Sequence, residues 1–282
     1  MLAHSDVFFP YGWPLLYRGV RMTGFDWQTA TADEVDFQYS PSKFAKRPLD
    51  EYLEEYRTRS TVVDAAGVRR ENAPLLIFIH GGYWQKLSAA DSLFNGPDAQ
   101  AEGIALHAVE YTLAPHASIA EMVEECIADV LGTINEMQPT RVILAGSSAG
   151  AHLAAMCSRN EHIASRVDGL ALLSGIYDVR PLVVTPTNDP LHLSTESATA
   201  ISPQLLPLEH VVPHALLAVG GHEPPEFIRQ NAEFGERLRG HNVAVEIMVE
   251  DDLDHFDLPY DLLKRGTKVG DWCLGLLKGN TQ

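Results

Sequence analysis

The sequence predicts an α/β protein: a mostly parallel central sheet with helices on both faces. Three observations carry that expectation. Short, almost entirely apolar runs recur along the chain, as strands buried on both faces do. Amphipathic stretches of helical period lie between them. The two kinds of segment alternate for most of the length, the order that right-handed crossover units impose.

The strands are expected at 75–79, 104–109, 142–145, 169–173, 215–219 and 244–249. The clearest helix carries Ile119, Met122, Val123, Cys126, Ile127, Val130, Ile134 and Met137 on one stripe, with Ser118 and Glu121 as its capping box. Pro224 and Pro225 suit the opening turn of another helix, which runs to about Arg239. A last amphipathic stretch covers 259–277. Two regions break the rhythm. Residues 1–60 are rich in aromatics, prolines and charges, and 179–210 in prolines, serines and threonines. Both keep large apolar residues, so both are expected to cover the active-site edge of the sheet as parts of one domain spanning 1–282.

Composition excludes several functions. The formal net charge is −17, which disfavours nucleic-acid backbones and anionic membrane surfaces as partners. The 3 cysteines, Cys126, Cys157 and Cys273, are odd in number and widely spaced, so neither a disulfide framework nor a zinc site is expected. The N-terminus lacks a basic region followed by an apolar one, and no apolar run is long enough to cross a bilayer. A cytoplasmic location is therefore expected, with a small molecule as the partner.

The chemistry concentrates in a few segments. Gly146-Ser147-Ser148-Ala149-Gly150 follows an expected strand and precedes a helical-looking run. A G-x-S-x-G in that context forms a nucleophile elbow, which lifts the Ser148 hydroxyl above the sheet and aims the Ala149 N–H at a developing oxyanion. Upstream, another strand ends in His80-Gly81-Gly82-Tyr83-Trp84, where backbone amides of Gly81, Gly82 and Tyr83 can complete an oxyanion hole. Together the two motifs predict an α/β-hydrolase fold and acyl transfer. In that fold the acid and then the histidine follow the serine. Among 12 histidines, His255 stands between the last strand and the last helix, where the base belongs. His241 and His210 suit surface or capping roles, and His80 and His152 structural ones. Glu223, after the preceding strand, is the expected acid; Asp178 is the alternative, and Glu226 reads as a first-turn residue of its helix.

His80–Trp84, the segment around Ser148, Ser174-Gly-Ile-Tyr-Asp, Glu223-Pro-Pro-Glu-Phe-Ile-Arg-Gln, Asp254-His-Phe-Asp and Gln38-Tyr-Ser-Pro-Ser together resemble the kynurenine formamidases, or arylformamidases. Tyr111-Thr-Leu-Ala-Pro is similar to the neighbouring hormone-sensitive-lipase-like esterases. The resemblance implies hydrolysis of N-formylkynurenine without metal or organic cofactor, with nucleophile, acid and base on Ser148, Glu223 and His255. Two positions depart from the familiar pattern: Glu223 replaces an aspartate, and Ser147 a larger residue such as histidine. Ser147, Tyr83 and Trp84 are the expected substrate-contacting residues, with the two aromatics walling an aromatic leaving group. The alternatives are a small-acyl carboxylesterase and a binding protein that has kept the fold without catalysis.

Overall fold

The structure, a computed structural model, describes residues 16–17, 20–21, 25–61 and 67–279. The expectation about a targeting segment, and much of the proposed cover before residue 25, lie outside the described residues. Two short strands, β1 (Leu16–Tyr17) and β2 (Val20–Arg21), pair antiparallel.

The main sheet is wholly parallel. It contains β3 (Leu75–Ile79), β4 (Ala105–Val109), β5 (Val142–Ser147), β6 (Gly169–Leu173), β7 (His214–His222) and β8 (Ala244–Asp254), in the order β4-β3-β5-β6-β7-β8. Burial on both faces explains why the inner strands read as unbroken apolar runs. In β3, Leu75, Ile77 and Ile79 join the core on one side, while Leu76 and Phe78 join the core on the other. The first side is covered by α4 (Ile119–Met137), α5 (Ala149–Cys157) and α8 (Pro225–Arg239), the second by α3 (Gly96–Glu102) and α9 (Lys268–Leu277). This is the three-layer arrangement expected from the sequence.

Local signals set most boundaries. Ser118 Oγ accepts the Glu121 N–H at 3.3 Å, and the Glu121 carboxylate accepts the Ser118 N–H at 2.8 Å, closing the capping box of α4. Pro224 occupies the N-cap position of α8, without a side-chain capping bond, and Pro225 opens the helix. Two expectations need correction. β8 continues to Asp254 rather than stopping at 249, carrying its pairing with β7 through a register shift between Gly220 and His222. The stretch 259–277 is not one helix: a 3-10 turn, Leu258–Asp261, precedes α9, whose N-cap Thr267 accepts the Gly270 N–H at 3.1 Å.

The chain before the sheet contributes α1 (Ala32–Gln38), a 3-10 turn at Pro41–Lys43 and α2 (Leu49–Ser60). This segment is tied to the end of β8 by the hydrogen bonds of Lys46 and Tyr52 to Asp254, and to α8 by the Gln230–Tyr39 bond. Between β6 and β7, 3-10 turns at Arg180–Val184 and Pro186–Asn188 and the helix α7 (Thr195–Ala200) occupy the second region that broke the sequence rhythm.

Candidate active site

Ser148 sits on the sharp turn between β5 and α5, with φ 57° and ψ −121°. A side-chain-bearing residue is strained there by about 1–3 kcal/mol. Its surroundings hold it in place: the Ser148 N–H donates to the Leu173 carbonyl at 2.8 Å. Gly150 permits the close approach of α5 to the sheet, since a Cβ on it would lie 2.0 Å from the Ile79 carbonyl oxygen. The flanking small residues are thus steric requirements of the turn.

The loop after β3 lies against this elbow. A Cβ added at Gly81 would be 3.2 Å from Ser148 Cβ and 2.8 Å from the Ser147 carbonyl oxygen. Gly82, Tyr83 and Trp84 take φ values of 98°, 54° and 60°, a left-handed run that turns the backbone sharply. The N–H groups of Gly82, Tyr83 and Ala149 donate to no protein acceptor among the described residues. Such free amides beside a serine are what an oxyanion needs.

His80 and Tyr111 brace the loop from behind. Their rings stack with centroids 4.3 Å apart, and the Tyr111 hydroxyl donates to the His80 carbonyl at 2.9 Å. Burial pushes the His80 ring down to about 4, so it is neutral near pH 7, with Nδ1 2.9 Å from the Gly81 carbonyl. His152 is also buried and pushed down to about 4; its Nε2 lies 2.7 Å from the Ile201 carbonyl.

The downstream residues meet as a hydrogen-bonded chain. His255 Nδ1 lies 2.7 Å from Glu223 Oε2. Glu223 Oε1 accepts the Ser174 hydroxyl at 2.5 Å and the Gly220 N–H at 2.7 Å. Both oxygens of this buried carboxylate are therefore occupied, and the imidazole is held in one orientation. Phe227 and Phe256 meet the His255 ring at steep angles, each with its centroid 5.1 Å away. Asp178 stands apart from this chain, bound to Arg180 at 2.7 Å. Glu226 is buried in the first turn of α8 and forms a bidentate pair with Arg229.

A cavity of about 300 Å³ opens onto Ser148 and His255. That is near the lower end of small-molecule sites, roughly 300–1,000 Å³. Tyr39, Tyr56, Phe78, Tyr83, Phe94 and Phe256 give it aromatic walls, and Ser147 also lines it. Trp84 does not. Its ring is fully buried and packs edge-on against His152 at 5.1 Å, so the expectation that it contacts substrate is corrected. The backbone run from Gly82 to Trp84 turns successive side chains in different directions, leaving Tyr83 at the cavity and Trp84 in the core.

The structure adds residues to which sequence reasoning gave no role. Asp254, next to His255, is fully buried and accepts the Lys46 N–H (2.8 Å), the Tyr52 hydroxyl (2.5 Å) and the Phe256 and Asp257 N–H groups (2.9 and 3.0 Å). Burial by itself would raise its carboxyl, but these hydrogen bonds outweigh it and hold the group below its ordinary range. Tyr56 adds a bond to the Phe256 carbonyl at 2.7 Å. The segment around α2 thereby clamps the loop bearing His255. A second tie joins Tyr39, whose carbonyl accepts the Tyr83 hydroxyl at 2.5 Å and whose own hydroxyl accepts from Gln230 at 2.7 Å.

Among the described residues, no group of His, Cys, Asp and Glu is placed to hold a metal ion, and no helix is long and apolar enough to cross a membrane.

A parallel sheet with a strained serine at the β5–α5 turn defines the class as hydrolases of the α/β-hydrolase fold, and a family model described as that fold matches residues 76–257. A solved esterase from Pyrobaculum calidifontis shares the fold with a TM-score of 0.64 at 16% identity, covering 88% of this chain and 99% of its own. The kynurenine formamidase of Danio rerio is 30% identical over 269 residues, covering 83% of this chain and 92% of the relative. That of Salmo salar is 29% identical over 270 residues, covering 82% and 92%. The chain belongs to the kynurenine formamidase family of α/β-hydrolases, and it is a hydrolase.

Proposed function

We propose that this hydrolase cleaves the formyl-type amide of an aromatic amine, N-formylkynurenine or a related aryl formamide, through an acyl-enzyme on Ser148. The observation that carries the reading is the Ser174–Glu223–His255 hydrogen-bonded chain ending at the aromatic-walled cavity that Ser148 also lines. The names of the relatives from Danio rerio and Salmo salar support the same substrate class.

In this reading Ser148 Oγ attacks the formyl carbon while His255 Nε2 takes its proton. Glu223 keeps the other imidazole proton on Nδ1 and stabilises the imidazolium that forms. The N–H groups of Ala149 and of Gly82 or Tyr83 receive the oxyanion. His255 then protonates the departing aryl amine, because an amide nitrogen leaves poorly as an anion. Water, activated by the same histidine, releases formate from the serine. These steps require neither a metal nor an organic cofactor.

The small cavity favours a small acyl group beside a planar ring. An acyl-length series tests this: kcat/KM is expected to fall from formyl and acetyl aryl substrates to butyryl and longer ones, with N-formylkynurenine releasing formate. Brisk cleavage of long-chain aryl esters without formate release rejects the formamidase reading and leaves a carboxylesterase.

A further inference from the structure

The cavity has a charge pattern that the acyl-transfer chemistry does not use. Among the described residues, Lys86 lines it and no other lysine or arginine does, nor does any aspartate or glutamate. Lys86 is exposed and forms no ion pair or side-chain hydrogen bond among the described residues. An unpaired cation is notable in a chain of formal net charge −17, where carboxylates are abundant.

The backbone of Lys86 is also fixed relative to the candidate oxyanion loop. The Gly82 carbonyl accepts the N–H groups of Gln85 and Lys86 at 3.0 and 3.1 Å, closing a tight turn directly after the oxyanion loop. A Cβ at Gly82 would lie 2.3 Å from the Lys86 carbonyl oxygen and 3.2 Å from Lys86 Cβ, so the two backbones are in contact. Gln85 anchors the same turn through its side-chain amide, which donates to the Thr187 carbonyl at 2.9 Å. A lysine carries its charge on a flexible four-carbon stem. From this turn it can meet an anionic group on the leaving-group side of a substrate whose acyl oxygen is held by the adjacent amides.

We propose that Lys86 provides a carboxylate subsite, so that the preferred substrates are aryl formamides whose leaving amine bears a carboxylate. This rests on the formamidase reading for the bond cleaved. Among the described residues the cavity walls offer no side-chain carboxylate to an ammonium group, so the subsite selects for the anion alone.

The test compares N-formylkynurenine with its carboxamide, which has the same shape without the negative charge. Lys86→Gln keeps the turn, because only backbone atoms of Lys86 form it. Wild type is expected to prefer the acid, and Lys86→Gln to lower kcat/KM for the acid about five- to tenfold, mainly through KM, with the carboxamide unchanged. Lys86→Arg retains the preference. Added salt weakens it in wild type and leaves the glutamine variant unaffected, since the attraction is between exposed charges. An acid-to-carboxamide ratio that survives Lys86→Gln overturns the proposal, as does an equal loss on both substrates. If wild type releases formate from neither, the formamidase reading fails separately. Para-acetoxybenzoate and para-acetoxybenzamide then decide the subsite: loss of the acid preference in Lys86→Gln supports it, and an unchanged ratio overturns it.

Discussion

Glu223→Gln isolates the role of the acid with little change in shape. Glu223 is buried, one oxygen accepting from Ser174 and Gly220 and the other facing His255 Nδ1 at 2.7 Å. In the variant, the amide oxygen keeps the Ser174 and Gly220 bonds, which turns the NH₂ group toward the imidazole. Two donors cannot face each other, so Nδ1 loses its proton and Nε2 carries it. The histidine then presents N–H to Ser148 and cannot accept the serine proton. The charge that stabilises the imidazolium is lost as well. The expected fall in kcat is about 10²–10⁴, or roughly 3–5 kcal/mol of transition-state stabilisation. Thermal stability should change little, because every buried partner of the side chain keeps a bond. Glu223→Ala should additionally destabilise by about 1–3 kcal/mol for each buried donor left unsatisfied. The assay is steady-state turnover of an aryl formamide beside a thermal melt for each variant, with Asp178→Asn as control. Near-normal kcat in Glu223→Gln, or a larger loss in Asp178→Asn, refutes the assignment.

Three further outcomes follow from the geometry. Tyr52→Phe removes the hydroxyl bonded to Asp254 at 2.5 Å; it should cost about 1.5–3 kcal/mol and lower kcat with little change in KM, since Tyr52 does not line the cavity. Unchanged melting and turnover would show that the clamp on the His255 loop is dispensable. Gly150→Ala drives a methyl to 2.0 Å from the Ile79 carbonyl and should destabilise by about 3 kcal/mol or more; a variant that melts like wild type contradicts the tight elbow. His80 and His152 are pushed down to about 4 by burial. The unfolded chain takes up their protons first, so stability is complete above pH ~6.5 and falls as pH drops through about 4, by up to ~3 kcal/mol per histidine. Asp254, held below the ordinary carboxylate range, gives up its contribution only at lower pH. Urea unfolding across this window measures the slope, and a flat profile contradicts it.

Local patterns made the sheet and its helices readable. β6 falls at the expected 169–173 because it is apolar throughout and ends where Ser174 takes a positive φ. β8 outran its apolar stretch because it lies at the edge of the sheet, paired only with β7, and the exposed Asp251 and Asp252 fall where that pairing passes through its register shift before resuming at Asp254. Gly266 and Thr267 carried a stop and cap signal within 259–277 that the apolar periodicity obscured. Ser148, Glu223 and His255 stood out because each follows a strand, a position that sequence order encodes. The Tyr52–Asp254 contact had no such signal. Its partners are 202 residues apart, and a tyrosine in an amphipathic helix looks the same whether its hydroxyl meets water or a buried carboxylate. Trp84 failed for a related reason: a motif gives the backbone, while burial decides where each side chain goes.

The most direct measurement of the central claim is formate release from N-formylkynurenine by wild type and Ser148→Ala in parallel. The elbow tolerates a small side chain, so both proteins should fold alike. The account predicts stoichiometric formate and kynurenine from wild type, and a rate at least about 10³ lower without the serine hydroxyl. Undiminished formate release by pure, folded Ser148→Ala contradicts it.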